Sequence, residues 1–113
     1  MRRGWVTALA AALAAALLAV PAGLAAPGVT PPSIKLGGTV PLTGEAAPFG
    51  SVGPGAKAYF DYVNSKGGVN GRRIEYVYYD DAYDPGQTVQ LTRKLVEQDQ
   101  VFAIFNSVGT ASN

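Results

Sequence analysis

Three aspartates lie close together near the middle of the chain. The segment "YYDDAYDPGQ" contains Asp80, Asp81 and Asp84, directly after an aromatic-rich run. Carboxylates at this spacing could hold a metal ion or share a proton in acid–base chemistry. A calcium loop needs acids at alternate positions and a glycine at its sixth, but counting from Asp80 places Ala82 third and Pro85 sixth. The spacing therefore favours structural roles over a metal or catalytic site.

Each aspartate has such a structural role available. Asp84 precedes Pro85, and Gln87 follows three positions later, which is typical of a capped helix start. Asp80 and Asp81 come at the end of a predicted strand, where carboxylates can accept hydrogen bonds from loop amides. We therefore predict a helix cap at Asp84 and loop contacts for the other two.

The segment "GPGAKA" fits a dinucleotide-binding motif through Gly53, Gly55 and Ala58. That motif works when its first glycine ends a strand, so that a pyrophosphate meets the helix N-terminus. Here the preceding strand ends near Val40, a long loop intervenes, and Pro54 removes one backbone donor. A helix start with close helix–sheet packing is the favoured interpretation.

These residues must be positioned by alternating strands and helices. Strands are predicted at 34–40, 72–80 and 101–106 from apolar and β-branched runs. A helix beginning at Pro54 and ending at Gly67 has apolar residues at helical spacing: Ala56, Tyr59, Phe60 and Val63. A second helix, 85–98, has an inward stripe of Leu91, Thr92 and Leu95, with Val89 and Val96 beside it.

The order strand, helix, strand, helix, strand predicts an α/β fold, the first half of a doubly wound parallel sheet. Right-handed crossovers bring all three strand exits to one edge. If the spatial order is second, first, third, a crevice forms between the loops at 41–50 and 106–110. Those loops contain Thr43, Phe49, Ser107, Gly109 and Thr110.

Hydroxyls in these loops, and backbone amides at the N-terminus of the helix expected to follow, suit an anion such as a carboxylate, because they donate hydrogen bonds without a formal charge. Ser107 and Thr110 could instead simply cap the next helix. The residue pattern leaves these two interpretations equally open.

The first 25 residues have the features of a secretory signal peptide. Arg2 and Arg3 precede an apolar run that ends at Val20, and small residues follow. The run of about 15 apolar residues is short for a membrane span, which needs roughly 20. Cleavage is expected after Ala25, with Ala22 as the alternative, and residues 26–33 form an extended lead-in. Because the chain has no cysteine, no lipid anchor is expected.

Charge and composition exclude several classes of function. Without Arg2 and Arg3, seven basic residues face eight acidic ones, so no nucleic-acid partner is expected. The chain has no histidine, which removes a common metal ligand and general base. We therefore expect that the protein uses no cofactor and is not an enzyme. Because the chain has no cysteine, its stability must come from a packed core.

Three segments, "VPLTGEAAPFG", "YFDYVNSKGGVNGRRIEYVYYDDAYDP" and "LTRKLVEQDQVFAIFNSVGT", resemble the N-terminal part of the leucine/isoleucine/valine-binding type of periplasmic solute-binding protein. The resemblance covers nearly all of residues 34–113. Members of that family are receptors of branched-chain amino-acid ABC importers, in which two lobes close on a small ligand. It implies that 34–113 is part of an N-terminal lobe, and that the second lobe is missing from this fragment.

The resemblance also implies partners and a ligand site. A membrane permease and an ATPase would take the ligand from a periplasmic receptor that is monomeric when complete. Ser107, Gly109 and Thr110 match the loop that holds the ligand carboxylate, and Phe49 occupies the place of an aromatic that covers it. Phe49 lacks the hydroxyl of the tyrosine found in some members, and ligands across the family include amino acids, amides, urea and aromatic acids.

Three other classes of protein share parts of this pattern. The ligand-binding ectodomain of a sensor or receptor has the same fold and would carry a membrane segment after its second lobe. A secreted α/β enzyme would need its base outside residues 34–113. Sugar-responsive repressors have this fold as well, but an export signal argues against them.

Overall fold

A computed structural model describes residues 25–112 of the chain. The predicted signal peptide therefore lies outside the described residues except for Ala25, and both its identity and its cleavage site stay predictions. The elements are β1 (Ser33–Val40), a single 3₁₀ turn (Ala47–Phe49), α1 (Val52–Ser65), β2 (Arg73–Asp80), α2 (Pro85–Glu97) and β3 (Ala103–Ile104).

The strands form one parallel sheet in the order β2-β1-β3. Ile34 lies opposite Ile74 and Val40 opposite Asp80, so β1 and β2 are paired along their whole length. This arrangement confirms the predicted α/β class and the spatial order on which the predicted crevice depends. All three strands end at the same edge of the sheet.

Two glycines in β1 allow close packing on the two faces of the sheet. A Cβ at Gly37 would lie 2.8 Å from Leu95 Cδ2 on the α2 side. A Cβ at Gly38 would lie 2.5 Å from the Tyr76 hydroxyl on the other side. Glycines weaken a strand by propensity, but here larger side chains would push the core apart.

The α1 helix begins at Val52, two residues before the predicted start at Pro54. Gly53 is buried within its first turn, and a Cβ there would lie 2.9 Å from Val40 Cγ2. A Cβ at Gly55 would meet nothing within 4 Å. The close helix–sheet packing predicted for "GPGAKA" is therefore confirmed at its first glycine.

The buried face of α1 differs from the prediction at Tyr59, which is exposed, and at Asn64, which is buried. Phe60 is buried as expected, but Tyr59 is 63% exposed, because the buried stripe passes through Gly53, Phe60 and Asn64. The Asn64 side chain donates from Nδ2 to the Ile74 carbonyl (2.8 Å) and accepts from the Ile74 amide at Oδ1 (2.7 Å). It thereby satisfies backbone groups of β2 that point away from β1.

Two glycines end α1 close to the predicted position. Gly67 (φ +103°) and Gly68 (φ +73°) have left-handed backbones. The amide of Gly67 donates to the Asn64 carbonyl (3.1 Å) and that of Gly68 to Val63 (3.0 Å). This pair of bonds is a Schellman motif, which a residue with a side chain would strain.

The inward face of α2 is also narrower than predicted. Leu95 is fully buried and Thr88 nearly so. Val89 and Val96, which the sequence placed beside the stripe, are 59% and 53% exposed. They lie roughly a quarter turn from the line joining Thr88 and Leu95, so the sheet does not cover them.

The predicted strand 101–106 is reduced to two residues in β3, but the segment stays beside β1. Three further amides donate to carbonyls of β1: Phe102 to Lys35 (2.8 Å), Phe105 to Gly37 (2.6 Å) and Val108 to Thr39 (3.3 Å). Phe102 and Phe105 are 52% and 40% exposed. The chain therefore follows β1 as far as its exit edge.

An aromatic cluster joins α1 to the sheet. The ring of Phe60 lies 5.4 Å from Tyr76 and 5.3 Å from Phe105, both edge-on. The Tyr76 hydroxyl donates to the Phe105 carbonyl (3.3 Å). Burial, with a smaller effect of Tyr78, raises the pKa of Tyr76.

On the opposite face of the sheet, three polar side chains are hydrogen-bonded in series. Lys94 Nζ donates to the Tyr79 hydroxyl (2.6 Å) and lies 3.9 Å from the centre of its ring. That hydroxyl donates in turn to Asp99 Oδ2 (2.9 Å). The bond to Tyr79 is the main cause of a raised pKa of Lys94. These contacts attach the end of α2 to β2.

The lead-in 26–33 is not simply extended, as the sequence suggested. Val29 pairs with Ile34 in an antiparallel bridge, and the Lys35 amide donates to the Gly28 carbonyl (2.7 Å). The segment thus folds back over the start of β1, because its backbone groups find partners there.

Candidate functional site

Three loops meet at the edge where the strands end. They are the first loop (residues 41–50), the second loop (residues 81–84) and the third loop (residues 105–112), which follow β1, β2 and β3. In parallel α/β sheets, ligands bind at this edge, outside the carboxyl ends of the strands.

Asp80 holds the first loop against the second. Its Oδ1 accepts hydrogen bonds from the amides of Leu42 (2.8 Å), Thr43 (3.2 Å) and Ala82 (2.9 Å). Its Oδ2 accepts from the Thr43 hydroxyl (2.6 Å). The bond from that hydroxyl is the main cause of a lowered pKa of Asp80, and the three amides lower it further. The predicted role of Asp80 as an acceptor for loop amides is confirmed.

Asp81 connects the second loop, α2 and the third loop. It is fully buried, and its Oδ1 accepts from the Tyr83 amide (3.0 Å). The Thr88 hydroxyl donates to Asp81 Oδ2 (2.8 Å) and lies 3.2 Å from Ser112 Oγ. A buried carboxylate needs such partners. Here they come from the second loop and α2, and Thr88 extends the network to Ser112 in the third loop.

Asp84 caps α2, as predicted. Its Oδ1 accepts from the Gln87 amide (2.9 Å), and Pro85 occupies the first helical position. Among residues 25–112 no group of three or more acidic, histidine or cysteine side chains has a metal-binding arrangement. The three aspartates therefore act as the scaffold of the loops.

The second loop has a constrained backbone. Ala82 (φ +49°) and Tyr83 (φ +63°) are two successive residues in the left-handed region, which is unfavourable for residues other than glycine. Their amides are held by Asp80 and Asp81. The Tyr83 ring lies beside the third loop, since a Cβ at Gly109 would be 3.2 Å from Tyr83 Cε2.

A cleft of about 620 Å³ opens between the first and second loops. The residues that line it are Gly44, Glu45, Ala46, Phe49, Ala82, Tyr83, Asp84 and Pro85. The sequence suggested a crevice between 41–50 and 106–110. In the structure the first loop (41–50) forms one wall of the cleft, and the second loop (81–84) forms the opposite wall. The third loop, which contains 106–110, lies alongside through Gly109.

The predicted ligand residues lie around this edge. Phe49 lines the cleft and is 65% exposed. Ser107 Oγ is 3.5 Å from the hydroxyl of buried Thr39, and Gly109 lies beside the Tyr83 ring. Thr110 is exposed on the third loop. Their contacts with a ligand remain predictions.

Sequence reasoning did not single out Tyr83, although it lines the cleft. The available signal was an aromatic residue placed between the aspartates of a strand end and the Asp-Pro of a helix start. At that position a side chain lies at the carboxyl edge of the sheet.

The fold and this edge define a lobe of the binding-protein type, and comparison with known families agrees. The family model described as "Periplasmic binding protein" matches residues 33–113. The chain belongs to that family.

Among residues 25–112, no helix is long and apolar enough to cross a membrane.

Individual relatives support the same assignment. The chain is 37% identical over 84 residues to the leucine-, isoleucine-, valine-, threonine- and alanine-binding protein of Pseudomonas aeruginosa, covering 74% of this chain and 22% of that protein. It is 43% identical over 77 residues to Leu/Ile/Val-binding protein homolog 2 of Brucella abortus, covering 66% and 21%.

A solved structure is similar as well. The fatty acid ABC transporter substrate-binding protein of Thermomonospora curvata is 40% identical and superposes with a TM-score of 0.68, over 78% of this chain and 22% of that one. The chain thus spans about a fifth of the length of the curated relatives it matches.

Proposed function

We propose that this chain forms part of the N-terminal lobe of an extracytoplasmic solute-binding receptor of an ABC importer. The receptor binds a small amino acid, or a related carboxylate or amide, between two lobes and delivers it to a membrane permease. The observation that carries the proposal is the meeting of three loops at the carboxyl edge of the sheet, in a chain of the periplasmic binding protein family.

The ligands named for the relatives favour a carboxylate. Leucine, isoleucine, valine, alanine and fatty acids each have a carboxylate attached to an apolar group, and threonine, which the same relative is named for, differs by a hydroxyl on its side chain. In the proposed site the carboxylate lies at the third loop and accepts from Ser107, Thr110 and the Gly109 amide. Phe49 covers the ligand from the first loop.

Thr110→Val tests the carboxylate site. The variant keeps the shape of the side chain but removes a donor to a charged oxygen, a bond worth roughly 1.5–3 kcal/mol. We expect ligand affinity to fall about ten- to a hundredfold in a closed two-lobe receptor. A suitable receptor carries residues 33–113 in place of the matching segment of the Pseudomonas aeruginosa relative, with leucine binding measured by calorimetry.

Thr92→Val is the matched control, because Thr92 lies on α2 away from the loops. We expect it to leave leucine affinity unchanged. If Thr110→Val also leaves affinity unchanged but lowers the melting temperature, Thr110 is a structural residue and the carboxylate is not held there.

A further inference from the structure

Tyr83 is an aromatic residue at the candidate site to which the proposed function gives no role. Its backbone is left-handed (φ +63°), and so is that of Ala82 before it (φ +49°). A tyrosine in this region is uncommon, and strained positions persist only where their surroundings hold them. Here Asp80 accepts a hydrogen bond from the Ala82 amide (2.9 Å), and Asp81 accepts one from the Tyr83 amide (3.0 Å).

The surroundings of the Tyr83 ring are not those of a core residue. The residue is 41% exposed, whereas Tyr76 packs between rings and donates its hydroxyl to a carbonyl. Within residues 25–112 the Tyr83 hydroxyl makes no hydrogen bond, although the Tyr83 amide does. The ring lines the cleft opposite Phe49 and reaches Gly109 in the third loop. The constrained backbone therefore holds an aromatic surface at the junction of the three loops.

The charges of the cleft restrict what can lie against this ring. Among the described residues that line the cleft, Glu45 and Asp84 are the two with ionisable side chains besides Tyr83, and both are acids. A ligand carboxylate would be repelled between them, whereas the third loop offers donors. The ligand would therefore lie with its carboxylate at the third loop and its tail between Phe49 and Tyr83.

We propose that Tyr83 is a specificity-determining residue that forms, with Phe49, the two aromatic walls around the apolar tail of a carboxylate ligand. This inference rests on the proposed function, since it requires a carboxylate at the third loop. Tyr83 selects ligands by contact with the tail and has little effect on the carboxylate itself.

The left-handed backbone supplies variants that remove the ring without adding strain. Glycine and asparagine both tolerate this region, so Tyr83→Gly and Tyr83→Asn should fold. Asn70→Gly is the matched control, because Asn70 also has a left-handed backbone (φ +50°) but lies in the turn before β2, at the opposite edge of the sheet.

The probes are acetate, which has no tail, and isocaproate, which has the branched tail of leucine without its ammonium. Each is titrated into the isotope-labelled two-lobe receptor that carries residues 33–113, and the amide NMR signals of the third loop are followed. We expect isocaproate to bind more tightly than acetate to the unmodified receptor. Both Tyr83 variants should lower the affinity for isocaproate about three- to tenfold, the range for an aromatic contact. They should leave the affinity for acetate unchanged. Asn70→Gly should change neither affinity.

The outcomes separate this inference from the proposed function. If neither acid shifts the third loop in the unmodified two-lobe receptor, the proposed carboxylate site is wrong, and the role of Tyr83 is lost with it. If both acids bind and the ratio of their affinities is the same in the Tyr83 variants, the proposed function stands and Tyr83 has no part in selection. A lower melting temperature with an unchanged ratio would make Tyr83 a purely structural residue.

Discussion

Replacing Asp80 by asparagine should loosen the first loop and change how stability depends on pH. The carboxylate accepts four hydrogen bonds, from the amides of Leu42, Thr43 and Ala82 and from the Thr43 hydroxyl. Asp80→Asn keeps the shape of the side chain but removes the charge and replaces one acceptor oxygen by a donor nitrogen.

The size of the effect follows from the exposure of these groups. Hydrogen bonds to charged groups contribute roughly 1.5–3 kcal/mol each when water is excluded. Asp80 is only partly buried, so water can replace its donors, and about 0.5 kcal/mol per bond is a more suitable value. Four weakened bonds then lower the free energy of unfolding by about 2 kcal/mol near neutral pH.

The pH dependence has a definite sign. The pKa of Asp80 is lowered in the folded chain, chiefly by the Thr43 hydroxyl. The folded state therefore binds a proton less readily than the unfolded state, in which an aspartate has a pKa of about 3.9. The stabilisation is complete above that value and is lost as the pH falls through the lower, folded pKa. Asp80→Asn lacks this dependence, so its difference from the unmodified chain should shrink below about pH 4.

Urea unfolding, followed by circular dichroism at neutral pH and at about pH 3, measures both effects. Asp61→Asn is the control, because Asp61 forms an exposed i,i+4 ion pair with Lys57 (2.8 Å) that contributes at most about 0.5 kcal/mol. Equal losses in the two variants, or an Asp80→Asn loss that is the same at both pH values, would refute the role assigned to Asp80.

Two further predictions come from single contacts, and a third concerns the signal peptide. Asp84→Ala should lower the free energy of unfolding by about 1 kcal/mol through loss of the cap to Gln87, and calcium should not change the melting temperature of the chain. Asn64→Ala should cost about 2–4 kcal/mol in urea unfolding, because both backbone groups of Ile74 lose their partners; a loss below about 0.5 kcal/mol would show that water replaces the amide. Mass spectrometry of the exported protein should find a new N-terminus after Ala25, and retention of Met1 in that fraction would contradict a cleaved signal peptide.

Much of the fold could be predicted from local sequence patterns, because local interactions decide those features. The Asp84 cap, the glycine stop at Gly67 and the strand–helix alternation each depend on residues a few positions apart. The common edge of the strand exits followed from the crossover rule, whereas the spatial order β2-β1-β3 entered the sequence analysis as a condition that the structure then met. Even the roles of Asp80 and Asp81 were within reach, since carboxylates at a strand exit have loop amides nearby.

Other features depended on contacts between distant segments. Tyr59, Val89 and Val96 are apolar and lie near the predicted stripes, yet all three are exposed. The rotation of each helix against the sheet decides which neighbour of a stripe is covered, and that rotation depends on how closely Gly37 and Gly53 let the helices approach. Asn64 is polar at an inward position, and only the course of β2 shows that it bonds to Ile74.

The candidate site divides in the same way. The sequence by itself determined that Phe49 and residues 107–110 lie in loops at the carboxyl edge, because alternation and handedness place every strand exit there. Only the tertiary structure showed that Tyr83 belongs with them. Its position depends on a left-handed backbone, held by the carboxylate of Asp81 two residues earlier. It also depends on the close approach of Gly109, a contact with a separate loop that only the folded chain shows.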